Sequence, residues 1–136
     1  MSRGLKNNNP GNIRNSVTAH WQGEVKTECK GDASFEEFES IDYGYRALIK
    51  LLQNYIRLHN CRTLKEIICR YAPPSENNTA GYVQRVCREM HVADNFMPDP
   101  SDKYVMCALA AAISLVENGV PAVKEDVEAG WNLLKE

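Results

Sequence analysis

The chain has 136 residues, 43% of them apolar, and a formal net charge of −2. That length suits one domain with one core, and the near-neutral balance with scattered Lys and Arg argues against a nucleic-acid partner. The longest apolar run, residues 105–116, is broken by Ser114 and is too short to span a bilayer, and no basic-then-apolar leader opens the chain, so synthesis in the cytoplasm without a signal peptide is expected.

In chain order, residues 3–14 (Arg-Gly-Leu-Lys-Asn-Asn-Asn-Pro-Gly-Asn-Ile-Arg) are too polar for a core and too irregular for a helix. Asn and Gly tolerate positive φ and Asn side chains fold back on local backbone, so a structured loop is predicted. Residues 21–39 read as a short β-hairpin in which Trp21, Gly23 and Val25 lead into a Lys30-Gly-Asp turn followed by Phe35 and Phe38. From residue 43 to 59, apolar positions 45, 48, 49, 52, 55 and 56 form one helix face. Thr63 and Glu66 have the spacing of a capping box for a helix that must stop at Pro73 and Pro74.

Residues 71–82 (Tyr-Ala-Pro-Pro-Ser-Glu-Asn-Asn-Thr-Ala-Gly-Tyr) place the carboxylate of Glu76 in a polar loop between two helices, with Asn78 or Thr79 suited to cap the second. That helix should run from about 79 to 90, with Tyr82, Val83, Val86 and Met90 on one side. After a Pro-containing loop at 94–101, residues 102–116 show no polar stripe beyond Lys103, the pattern of a helix surrounded by others. Asn118-Gly119 supplies a left-handed stop, and a last helix from about 122 to 134 should bury Val127, Trp131 and Leu134.

Cys29, Cys61, Cys69, Cys87 and Cys107 contain no CxxC pair and leave one over in any disulfide scheme, so reduced, mostly buried thiols are expected. Cys87 and His91 have the spacing of half a metal site, but no second pair matches it, and neither a metal nor a cofactor is expected.

Taken together, the 3–14 segment, Trp21-Gln-Gly23, Phe35-Glu-Glu-Phe38, Tyr43-Gly-Tyr-Arg-Ala47 and residues 70–79 resemble a family of small phage and prophage proteins. Members are labelled virion structural proteins and look like relatives of lysozyme-type peptidoglycan hydrolases. The stretch Ala110-Ala-Ala-Ile-Ser-Leu-Val-Glu-Asn-Gly119 also resembles the catalytic helix of bacterial glucosaminidases and lytic transglycosylases, which ends in Glu. In those families the Glu helix precedes an Asn-rich segment and a hairpin. Here it follows them, as a circular permutation of the lysozyme-like fold would produce.

The resemblance implies a mainly α, lysozyme-like helical bundle over residues 1–136 with one small β-hairpin beside a cleft. It further implies cleavage of peptidoglycan glycan strands, of muramidase, glucosaminidase or lytic transglycosylase type, at the bacterial cell wall or within a phage particle. Glycosidic cleavage needs a carboxylic acid that keeps its proton until it donates to the leaving oxygen. Glu117 suits that role because it ends the most apolar helix, where the helix dipole opposes its charge, and Glu76 is the second catalytic candidate.

Asn8, Asn9, Asn12 and Arg14, with Asn77 and Asn78, are candidate hydrogen-bonding partners of the substrate, and Trp21, Tyr43, Tyr71 and Tyr82 are candidate stacking surfaces. In the hairpin, Glu24, Glu28 and Asp32 occupy the region where glucosaminidases carry a second carboxylate. The alternative is a non-catalytic virion or secretion-associated protein that keeps the cleft and binds glycan, phage or secretion-system subunits, since fold alone does not establish chemistry. Either version requires Glu117, Glu76 and residues 7–14 to border one concavity.

Overall fold

The computed structural model describes residues 1–135 and is mainly helical. Helix α1 (Arg3–Lys6) is a single turn, followed by α2 (Ile41–Leu58), α3 (Leu64–Tyr71), α4 (Thr79–Met90), α5 (Lys103–Asn118) and α6 (Lys124–Asn132). None of the helices among these residues is long and apolar enough to cross a membrane.

Local chemistry explains most helix ends. Thr63 accepts from the Glu66 amide while Glu66 accepts from the Thr63 amide, the reciprocal capping box that starts α3. Asn78 caps α4 through the Gly81 amide, and Asp102 caps α5 through the Val105 amide. Gly119 ends α5 at φ 75°, a conformation that costs a residue without Cβ little.

The main core lies between α2 and the four helices after it, with Leu48, Ile49, Leu52, Leu64, Ile67, Ile68, Met106, Leu109 and Ile113 fully buried. Contact between α2 and α6 is close because Gly130 has no side chain: a Cβ there would stand 2.8 Å from the Arg46 amide nitrogen. Val127 is buried, while Trp131 and Leu134 pack partly buried against the same core. Helix α5 is covered on one side only. Tyr104 is 80% exposed and Ala108 is also exposed, so the missing polar stripe reflects small alanines on an open face as well as burial.

The N-terminal forty residues differ most from expectation. A helical turn, α1, forms where irregular chain is predicted, because Ser2 accepts from the Leu5 amide and caps it. No β-hairpin ladder forms among the described residues. Two isolated antiparallel bridges, Arg14 with Phe35 and Glu24 with Phe38, take its place. The segment 34–39 is shared between two partners: Glu36 and Asn15 amides bond the Ile13 and Ser34 carbonyls, while Val25 and Glu39 amides bond the Glu37 and Gly23 carbonyls. A strand divided in this way cannot zip along one neighbour.

Between these stretches the chain follows side-chain anchors. Asp32 accepts from Arg3, Asn7 and the Ser34 and Phe35 amides, and these bonds, led by Arg3, hold its carboxyl far below the usual range. A second small core of Ile13, Phe38 and Ala47, backed by Trp21, Tyr43 and Leu51, fastens this region onto α2. All five cysteines are free. Cys29 is exposed, and burial pushes the thiols of Cys61, Cys87 and Cys107 up.

Gly44 reports how tightly the N-terminal loop presses on α2. An alanine there should favour the helix by about 1 kcal/mol, yet its Cβ would collide with the Asn8 carbonyl oxygen and lie 2.7 Å from Pro10 Cδ. Gly44→Ala is therefore expected to lower stability by roughly 1–3 kcal/mol, measured by urea unfolding. A variant as stable as the parent would mean that the loop does not sit there.

Candidate functional site

A cavity of about 560 Å³ lies between the N-terminal segment and the α3–α4 loop. Gly11, Asn12, Arg14, Trp21 and Phe35 line one wall, Tyr71, Pro73, Glu76 and Asn77 line the other, and Glu117 also faces the space. Residues 105 positions apart thus meet in one concavity, and its size is within the range of small-ligand sites.

Glu117 reaches the cavity because it occupies the last turn of α5, shortly after the buried Ala112, Ile113 and Ser114. Both of its oxygens are engaged: Asn12 Nδ2 donates to Oε1 at 2.9 Å and the Tyr82 hydroxyl donates to Oε2 at 2.8 Å. Asn12 can offer its amide because its backbone takes φ 50°, a left-handed conformation that Asn tolerates. Tyr82 stands behind the carboxylate. Burial first, then the charges of Tyr71 and Glu117, raise its hydroxyl far above the usual phenol range, so it remains a neutral donor at any working pH.

The walls are tied together by two contacts. The Tyr71 hydroxyl, kept neutral mainly by burial and also by Glu117, donates to the Gly11 carbonyl. At the mouth, Arg14 Nη2 meets Glu76 Oε1 at 2.8 Å, and both side chains are more than half exposed.

Of the twelve residues singled out from sequence, Glu117, Glu76, Asn12, Arg14, Trp21, Tyr71 and Asn77 line the cavity. The other five do not. Asn9 is fully buried and acts as a three-way strut: Nδ2 donates to the Ile13 and Glu36 carbonyls and Oδ1 accepts from the Ile13 amide. Asn8, at φ 52°, donates to the Phe38 carbonyl. Asn78 is spent on the α4 cap, Tyr43 packs against Gly23 and the small core, and Tyr82 touches Glu117 from the protein side.

None of the three hairpin acids reaches the cavity: Asp32 is bound by Arg3, Glu28 is exposed in a 3-10 turn, and Glu24 lies 3.2 Å from His20. Among the described residues no three His, Cys, Asp or Glu side chains converge as metal ligands.

Sequence reasoning missed Asn118 and Phe35. Asn118 donates to the Pro10 and Ser114 carbonyls and accepts from Ser2, locking the N-terminal segment to the end of α5. Its position in an Asn-Gly pair suggested only a helix stop. Phe35 looked like hairpin core but lies in the cavity wall, with Arg3 and Arg14 guanidinium carbons 4.4 and 5.2 Å from its ring centroid.

Behind Phe35, Glu36 is 2% exposed, and its nearest cation, Lys30 Nζ, is 4.0 Å away. Its Oε2 has no hydrogen-bond partner among the described residues. Burial, and next the charge of Glu24, raise its pKa, against the weaker opposing pull of Lys30. A raised folded-state pKa contributes stability that is complete below the unfolded value and is lost as pH rises through the folded one. Glu36→Gln should remove this component, so the fall in stability as pH rises from the ordinary glutamate range toward neutrality should be shallower than in the parent. Thermal melts across that range check it; an unchanged slope would show that Glu36 does not titrate there.

No family model matches the chain. It is similar to Protein P5 of Pseudoalteromonas phage PM2, with 30% identity over 132 residues that span 96% of this chain and 80% of that protein.

Proposed function

The chain belongs to the family of this phage protein, and from that premise and the cleft we propose that it cleaves the glycan strand of peptidoglycan with Glu117 as general acid. The observation that carries the reading is the placement of Glu117: a part-buried carboxylate at the edge of a ligand-sized cavity, oriented through both oxygens by Asn12 and Tyr82. Such orientation is what a proton donor to a glycosidic oxygen requires. A lysozyme-like arrangement in permuted order belongs to the same proposal.

To act as an acid, Glu117 must first take up a proton. A carboxyl group offers about four lone-pair positions, so a proton on Glu117 is compatible with both donors in place, and either donor can also turn away or accept. The Tyr82 hydroxyl can rotate to accept, since an O–H group has both capacities. Asn12 can exchange its amide ends, which would bring forward Oδ1, now buried without a partner among the described residues. In this scheme Trp21 and Tyr71 border the sugar path and Asn77 adds polar contact. Glu76, half exposed and paired to Arg14 at the mouth, does not transfer the proton.

The second reading is a non-catalytic virion protein that binds glycan or phage subunits. It is favoured by the phage origin of the relative and by the engagement of both Glu117 oxygens with the protein's own side chains. Activity on murein sacculi separates the two. The parent should release reducing sugars or anhydro-muropeptides, and Glu117→Gln should fold normally and lose roughly 100-fold or more of that activity. Glu76→Gln should lose much less. Unimpaired cleavage by the Glu117 variant would remove it as the acid, and an inactive parent would leave the binding protein.

A further inference from the structure

Resting on the reading of the cleft as a glycan site, we infer that Arg14 is a carboxylate-binding residue held in reserve by Glu76, so that the cleft selects acidic over neutral sugar chains. Among the described residues lining the cavity, Arg14 alone carries a positive charge, against the two carboxylates of Glu76 and Glu117. Its use contrasts with that of its neighbour Arg3, which spends Nε and Nη2 on the two oxygens of Asp32 at 2.7 and 2.8 Å. Arg3 is a structural clamp with its fork filled.

Among the described residues, Arg14 makes one hydrogen bond, from Nη2 to Glu76 Oε1. A guanidinium has five donors in a planar fork that fits a carboxylate through two parallel bonds. The remaining donors of Arg14 are thus free to receive a ligand. The guanidinium is also pre-positioned, because its central carbon stands 5.2 Å from the centroid of Phe35, itself part of the cavity wall.

Glu76 is a weak competitor by design of the pair. The Arg14 and Glu76 side chains are 66% and 54% exposed, and an ion pair in water contributes little. A ligand carboxylate that binds the fork through two bonds outcompetes a single exposed one. Because Arg14 and Glu76 sit on opposite walls, the same exchange unties the mouth of the cleft. Glu76 therefore keeps Arg14 from binding stray anions and is released when an acidic glycan enters.

The test uses the full chain carrying Glu117→Gln, so that ligand is bound without turnover, and two probes of equal length. One is a neutral β-1,4 N-acetylglucosamine oligomer; the other alternates N-acetylglucosamine with N-acetylmuramic acid, whose lactyl groups supply carboxylates. Calorimetric titration should show the acidic oligomer binding roughly 5-fold or more tightly, an advantage that shrinks with added salt and disappears in Arg14→Gln.

Glu76→Gln should tighten the acidic oligomer only while Arg14 is present, so the double-mutant cycle gives a coupling that plain relief of negative charge would not. Equal affinity for the two oligomers, or the same gain from Glu76→Gln without Arg14, would overturn the inference and leave the cleft reading intact. Failure of both oligomers to bind would overturn both.

Discussion

The contact on which the rest of the structure depends is the clasp between the N-terminal segment and the C-terminal end of α5. Asn118 holds the Pro10 carbonyl, Ser2 holds Asn118, and Asn12 holds Glu117. Each net hydrogen bond is worth only about 1 kcal/mol, but these join residues more than a hundred positions apart and so decide whether a cleft exists. Without them the Asn-rich loop would still be held to α2 by Ile13 and the contact at Gly44, but its polar side chains would no longer be fixed against the carboxylate. The bonds that join the chain's two ends thus lie beside the one that orients Glu117.

The clasp needs a loop with its own internal order, and Asn9 supplies it. Fully buried, it satisfies the Ile13 amide and the Glu36 carbonyl, groups that a loop of irregular backbone would otherwise leave unpaired at a cost of about 1–3 kcal/mol each, and it adds a second donor to the Ile13 carbonyl, which also accepts from the Glu36 amide. This is why a polar segment can be packed onto α2 as firmly as the contact at Gly44 requires. The neighbouring Asn residues divide the labour, Asn7 and Asn8 tying down the 32–38 stretch while Asn12 turns outward to the carboxylate.

Legibility from sequence followed the range of the interactions. The capping box at Thr63 and Glu66, the start of α4 at Thr79 and the glycine stop of α5 are set by residues within four positions, and each appears where its local pattern puts it. The 21–39 region failed because its pairing is decided by distant groups: segment 34–39 bonds both residue 13 and residues 23–25, and Asp32 answers to Arg3. Nothing local distinguishes Asn9, a strut, from Asn12, a cavity residue; only the direction in which the folded loop points each side chain does so. Glu117 and Glu76 were visible as polar groups at the ends of apolar or Pro-stopped segments. The pairing of Glu76 with Arg14 and the place of Tyr82 behind Glu117 were not, since both depend on which elements pack together.

A crystal structure of the chain with a bound glycan fragment that spans the cleft tests the central claim most directly. A glycosidic oxygen should lie within hydrogen-bond distance of a Glu117 carboxylate oxygen, with Asn12 and Tyr82 still against that side chain. A fragment bound elsewhere on the molecule, or one that runs through the cleft with Glu117 turned away from every glycosidic oxygen, would contradict it.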